Sequence, residues 1–342
     1  MKNIFLALLL AFMSVQAIAQ KRASETGYGT QNYLINGNFD LWQRGTSFSS
    51  TGSAVYTADR WYDVSNSGST ISRVAATGQN SQYALKLARN SGQTFTADLL
   101  VAQPFETANI VPLRGKRVTL SFSAKSGANF SGSGNMYVRL VVGTGTEGKK
   151  VGASFTSPTY PIFVTQPITS TMTRYALTST VTIPASSTQM EVYFTFTPSG
   201  TAGADDSITI EQVMLNTGDR AAPFALAGGT VGEEKQLVRR YLIPIRGYFP
   251  LARVVNANEL RFLMPSDMAN MRTTPVVVNQ GAAELGDWFV GLVSTSGSTS
   301  GYTVGSLYAL GPELALTKTG HGVTGTTVFL RFDDKLFADA EL

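Results

Sequence analysis

The sequence predicts an all-β chain: a β-sandwich, then one short connecting helix, then a small C-terminal antiparallel β domain. Three observations predict it. Apolar residues recur at every second position in several short segments, the period of a half-buried strand. Gly-, Ser- and Thr-rich stretches separate those segments, and only 15% of the 342 residues are charged, a balance that suits short strands joined by tight turns. Helical spacing replaces the alternation at a single place after the N-terminal segment, between residues 230 and 243.

At the N-terminus, Lys2 precedes an apolar run over residues 4–15, and Ala17, Ile18 and Ala19 give the small-x-small pattern that a signal peptidase accepts. Residues 1–19 therefore read as a secretory signal cleaved before Gln20, or as an uncleaved apolar helix that anchors the protein in an assembly. The run is shorter than the roughly 20 apolar residues of a spanning helix, so no stable membrane span is expected. Residues 20–30 read as a linker.

The sandwich is expected over residues 31–226. Val118, Leu120, Phe122 and Ala124 alternate with Thr119, Ser121 and Ser123, and Met190, Val192, Phe194 and Phe196 alternate with Glu191, Tyr193 and Thr195. Further strands are expected over 136–142, 174–183 and 208–215. Turn-forming stretches around Gly127 and around Gly143 and Gly145 separate them. Residues 227–245 form the connecting segment. Val231, Leu237, Val238, Tyr241 and Leu242 fall near helical spacing, Glu233 and Glu234 come early and Arg239 and Arg240 late, as the helix dipole favours, and Pro244 is expected to end the helix. Residues 246–342 return to strand-like text at 260–265, 275–278, 288–294 and 326–342; near the end Val328, Leu330 and Phe332 alternate with Phe329 and Arg331.

Composition excludes several function classes. A chain of this length can bury two cores. Cys is absent, so there is no disulfide framework and no thiolate metal site. The formal charge is +4 with dispersed basic residues, whereas nucleic-acid binding needs a concentrated basic face. The single histidine, His321, sits in a Gly-rich stretch with no evident nucleophile partner. Asp205 and Asp206, like Asp333 and Asp334, are adjacent; neighbours on a strand point to opposite faces and flank one glycosidic bond poorly, so they read as surface solvation. No phosphate-binding loop occurs in a strand-turn-helix context. No enzyme is expected.

The leader NYLINGNFDLWQRG, running on to YTADRW across residues 32–61, is followed by YALKLARNSG, LRGKRVTLSFSAKSGAN and ITIEQVMLNTGDRAAPF. In this order the pieces resemble a carbohydrate-binding-module-like jelly roll of the galactose-binding type found in bacteriophage tail-fibre and receptor-binding proteins. The later RRYL and the terminal ADAEL resemble the same proteins, although Val238 stands where relatives often carry Cys. The resemblance implies a jelly roll, a homotrimer, a virion location and binding to bacterial surface polysaccharide or lipopolysaccharide. It also implies a structural Ca²⁺ near the first and last strands, held by main-chain carbonyls together with Asn38 or Asp40 and Glu211, oxygen donors of the kind that ion prefers. The export-like N-terminus departs from the usual fibre pattern and fits instead a secreted carbohydrate-binding or adhesion protein of prophage origin. A purely structural virion role is a third reading.

Sugars stack on Trp and Tyr faces beside hydrogen-bonding groups. The leader concentrates such residues, and Trp42, Arg44, Tyr56, Arg60, Trp61 and Tyr62 are the candidate ligand contacts. Motif aromatics at a sandwich edge more often fill the core, and Asp59 with Arg60 reads equally as an internal ion pair or cap. The arginines 239, 240, 246, 253 and 261 can meet anionic lipopolysaccharide or simply face solvent.

Overall fold

The computed structural model describes residues 28–149, 155–256, 259–263, 271–273, 276–279, 306–310, 313–317 and 328–341. The signal-like segment, His321 and the expected strand at 288–294 lie outside the described residues.

Strands are numbered in chain order. One six-stranded sheet runs, in spatial order, Ser47–Ser49 (β1), Ser69–Ala75 (β4), Tyr83–Arg89 (β5), Asp206–Thr217 (β12), Val118–Ser126 (β7) and Thr173–Thr178 (β10). The other runs Val55–Tyr56 (β2), Tyr62–Asp63 (β3), Leu99–Pro104 (β6), Gln189–Phe196 (β11), Asn135–Gly143 (β8) and Thr159–Pro167 (β9). Every neighbouring pair within these two sheets is antiparallel. They face each other as the expected β-sandwich.

The alternation read from the sequence explains the packing. Leu120, Phe122 and Ala124 on β7 meet Met136, Val138, Leu140 and Val142 on β8 and Met190, Val192, Phe194 and Phe196 on β11 in one buried cluster. Phe122 and Phe194 meet edge-to-face with centroids 5.0 Å apart. Each such side chain contributes about 1.5–3 kcal/mol through burial. Strand β10 stops at Thr178, earlier than expected, because the Thr180 amide donates to Pro161 O beside the opposite sheet.

The leader is held by side-chain hydrogen bonds to main chain. Asn32 Nδ2 donates to Val213 O (3.1 Å) and Ala225 O (3.0 Å), while its Oδ1 accepts from the Leu34 and Leu215 amides. Asn36 Nδ2 donates to Leu41 O and Asp59 O, and its carbonyl accepts from Trp61 Nε1. Gly37 is required by contact: a Cβ there would lie 2.0 Å from Val213 O, at the bulge where β12 slips register against β7.

The helix Val231–Arg239 starts at a Thr230–Glu233 capping box and places Glu233 and Glu234 in its first turn. Glu234 is buried and accepts from the Asn36 and Gly228 amides, tying the helix to the leader. Val238 and Tyr241 pack on Ile35. The helix ends before Pro244. The chain turns at Arg240 and enters Leu242–Asn256 (β13), in which Pro244 pairs with Phe337. A third sheet follows in the order Val276–Asn279 (β15), Val328–Asp339 (β18), β13, Glu259–Leu263 (β14), Glu313–Thr317 (β17) and Ser306–Leu310 (β16).

Among the described residues, Asp206 corrects the surface expectation. It is fully buried, with Arg89 Nε donating to its Oδ2 at 2.7 Å and the Ser131 amide to its Oδ1 at 2.8 Å. Asp205 is the half of the pair near solvent, 2.8 Å from Lys86 Nζ.

Candidate functional site

On the strands of the second sheet, residues out of phase with the core point away from it. Strand pairing brings six of them into one register: Tyr56 opposite Tyr62, Tyr62 opposite Ala102, Ala102 opposite Tyr193, Tyr193 opposite Arg139, and Arg139 opposite Phe163. The row crosses the whole outer face of the sheet. A second row beside it runs Leu100, Thr195, Tyr137 and Thr165.

One end of this face is open. A cleft of about 440 Å³ is lined by Asp98, Leu100, Tyr137, Arg139, Tyr160, Phe163, Tyr193 and Thr195. Phe163 stands at its rim, 64% exposed, and meets Tyr160 edge-to-face at 5.5 Å. The Arg139 guanidinium lies 3.6 Å over the Phe163 ring and 5.3 Å from that of Tyr137. Arg139 Nη1 donates to the main-chain carbonyls of Val138 and Val164. The Thr195 hydroxyl is buried and has no hydrogen-bond partner among the described residues, a costly state. Burial pushes the Tyr193 phenol up to about 12, so it is a neutral donor at physiological pH. Small pockets with several aromatic faces and a few polar groups suit flat, hydroxylated ligands.

The other end is sealed. Lys149 Nζ lies 5.0 Å over the Tyr56 ring and 5.7 Å over that of Tyr62, and Tyr62 OH donates to Glu191 Oε2 at 2.6 Å. The C-terminal residues close over it. Arg44 Nη2 bonds Asp339 Oδ2 at 2.9 Å and lies 3.5 Å from Glu341 Oε1, and Arg60 pairs with Glu341. Arg272 bonds Ala340 O and Glu147 Oε1, strapping the chain end to the loop that carries Lys149. The Arg60 guanidinium lies 3.5 Å over the Tyr241 ring. Neighbouring carboxylates hold the Arg44 and Arg60 charges in place by raising both pKa values. Asp59 is the exception. Burial raises its carboxyl to about 6, against the opposing pull of Arg44 and two bonds from Gln43.

All six leader residues proposed as ligand contacts from sequence are thus buried. Trp42 and Trp61 belong to the sandwich core, their indole N–H groups donating to Phe39 O and Asn36 O. Tyr56 and Tyr62 share the row of the cleft but lie under its sealed end, and Arg44 and Arg60 are committed to the C-terminal carboxylates. The expected Asp59–Arg60 pairing is replaced by Asp59 with Arg44, at 3.9 Å. The open cleft uses residues that sequence reasoning did not single out. Their one signal was aromatic or charged character in the polar phase of otherwise apolar strands, as at Tyr137, Arg139 and Tyr193.

Of the proposed calcium donors, Asp40 and Glu211 accept hydrogen bonds from within the protein. Asp40 Oδ1 accepts from the Gln82 and Tyr83 amides and its Oδ2 from Asn38 Nδ2; Glu211 accepts from the amide and hydroxyl of Thr77. Asn38 Oδ1 is buried without a partner among the described residues. No group of three or more His, Cys, Asp or Glu side chains that could hold a metal ion occurs among the described residues.

No protein-family model matches the chain, and no curated protein matches it. Several solved structures are similar over about half of it. A putative sugar-binding protein from Bacteroides thetaiotaomicron is 13% identical, with 55% of this chain and 100% of that one covered and a TM-score of 0.35. The C-terminal family 22 carbohydrate-binding module of a Clostridium thermocellum protein is 12% identical, with 53% and 98% covered and a TM-score of 0.30. A Stig cyclase from Fischerella, an enzyme, is 12% identical, with 57% and 100% covered and a TM-score of 0.36.

Proposed function

We propose that this chain is a non-enzymatic surface-recognition protein that binds glycan in the open cleft of the second sheet. The observation that carries the reading is the row Tyr193, Arg139 and Phe163 with the unpartnered Thr195 hydroxyl beside it: stacking faces and hydrogen-bonding groups on one rigid sheet. Rigid placement reduces the ordering cost of binding. The cleft argues against hydrolysis. Its carboxylate, Asp98, bonds Thr197, six positions along β11 and beyond from Glu191, or about 20 Å of strand. The paired carboxylates of glycosidases lie within about 10 Å of each other.

The motif order of the leader, the β7 segment and the chain end supports a phage tail-fibre or receptor-binding setting, with a homotrimer on the virion and bacterial surface polysaccharide or lipopolysaccharide as the target. Trimerisation would multiply weak sugar contacts. The signal-like residues 1–19 favour a second reading, a secreted adhesion protein of prophage origin. A mature N-terminus near Gln20 supports secretion, and intact Met1 in purified particles supports the virion. The binding claim is tested by retention of the full chain on a bacterial polysaccharide panel. Retention that Tyr193→Ala abolishes in a folded protein supports the cleft, and no retention on any polysaccharide overturns it.

A further inference from the structure

We propose that the glycan taken by the cleft is acidic, with Arg139 gripping a sugar carboxylate through its Nε–Nη2 edge; this rests on the reading of the cleft as a glycan site. The guanidinium is held in a fixed pose. Nη1 is spent on the carbonyls of Val138 and Val164, and the plane lies on Phe163. Nε and Nη2 have no protein acceptor among the described residues, and no carboxylate there pairs with Arg139. That free edge is the side-on fork that meets a carboxylate with two parallel hydrogen bonds.

Arg139 is only 8% exposed, so its charge is largely removed from water. Partial burial pulls the Arg139 pKa below its ordinary value, in contrast to the carboxylate-paired Arg44 and Arg60. The other charged group of the cleft does not fill the role. Asp98 accepts from Thr197 Oγ1, two rows along the sheet from Arg139. The hydroxyl-bearing rings of Tyr137, Tyr160 and Tyr193 lie around the guanidinium. A neutral sugar would leave the fork unmatched; a uronate or similar acidic residue stacked on Tyr193 and Phe163 would match it.

The test uses the full-length protein and matched probes: polygalacturonate, alginate and glucuronoxylan, each presented native and after chemical reduction of its carboxyl groups to alcohols. The expected result is retention on at least one native polymer that falls about ten- to a hundred-fold on its reduced form, the range of a charge-assisted hydrogen-bonded contact. Arg139→Met should lose the same factor on the native polymer and a clearly smaller one on the reduced polymer; Arg139→Lys should keep part of it. Far-UV circular dichroism and thermal melting confirm that both variants are folded, and added salt should weaken only native-polymer binding. Equal retention on native and reduced polymers overturns the acid preference while leaving the glycan cleft standing. Absence of retention on every form, native or reduced, overturns both.

Discussion

The two ends of one residue row differ only in what lies above them. Tyr56 and Tyr62 at one end, and Tyr193, Arg139 and Phe163 at the other, occupy the same register on the same sheet face. Lys149, the Arg44 and Arg60 pairs and the chain end cover the first; nothing among the described residues covers Phe163, which is 64% exposed. Aromatic identity therefore does not decide which end can meet a ligand. The cover does, and the cover comes from residues distant in sequence.

Breaking the sealed end should have the largest effect. Arg60→Ala removes one of the two arginines that pair with buried Glu341, and the plane over Tyr241, leaving that carboxylate to the more distant Arg44 alone. Unfolding in urea should show a loss of about 3–5 kcal/mol, with unchanged stability contradicting a buried, structural role for the pair. Retention on polysaccharide by whatever fraction remains folded should persist, because the open end is untouched.

Acid titration sharpens the comparison next. The Asp59 carboxyl is raised from 3.8 to about 6 in the folded chain. The folded state then holds that proton more tightly than the unfolded state, so the contribution is fully present below about pH 4 and is lost as pH rises through about 6. It amounts to about 3 kcal/mol at most. Melting temperature relative to Asp59→Asn should decline over that window and level off above it; a flat difference curve would mean that Asp59 titrates normally.

Tyr62→Phe deletes the hydrogen bond to Glu191 and should cost about 1 kcal/mol, without altering polysaccharide retention. The smallest effect concerns calcium. Because the oxygens of Asp40 and Glu211 already accept protein hydrogen bonds, a chelator should leave the melting temperature within about 1 °C, a shift that corresponds to a small fraction of a kcal/mol. A fall of several degrees, restored by Ca²⁺, would place a bound ion in the fold.

These contrasts also show what the chain discloses before folding. A strand such as Val118–Ser126 was legible because apolar and polar residues alternate within a few positions, although Thr119, Ser121 and Ser123 are buried as well. The early acidic pair Glu233 and Glu234 marked the helix start for an equally local reason. The helix end was misjudged because pairing of Leu242 with Asp339, almost a hundred residues later, draws the chain into a strand before Pro244 acts. The same limit applies to the site. The leader's aromatics stand out as a run, yet Trp42 and Trp61 close the core. Tyr193 and Phe163 look unremarkable until topology sets them on either side of Arg139. Arg44 and Arg60 looked available for a ligand because their partners, Asp339 and Glu341, come at the far end of the sequence.

The most direct test is binding of the full-length protein to the polysaccharide that retains it best, compared with the double variant Phe163→Ala, Tyr193→Ala, both measured by isothermal titration after circular dichroism shows an intact fold. Loss of two stacking faces should weaken binding about a hundred-fold, roughly a factor of ten for each 1.4 kcal/mol removed. Undiminished affinity in the folded double variant would contradict the assignment of the open cleft.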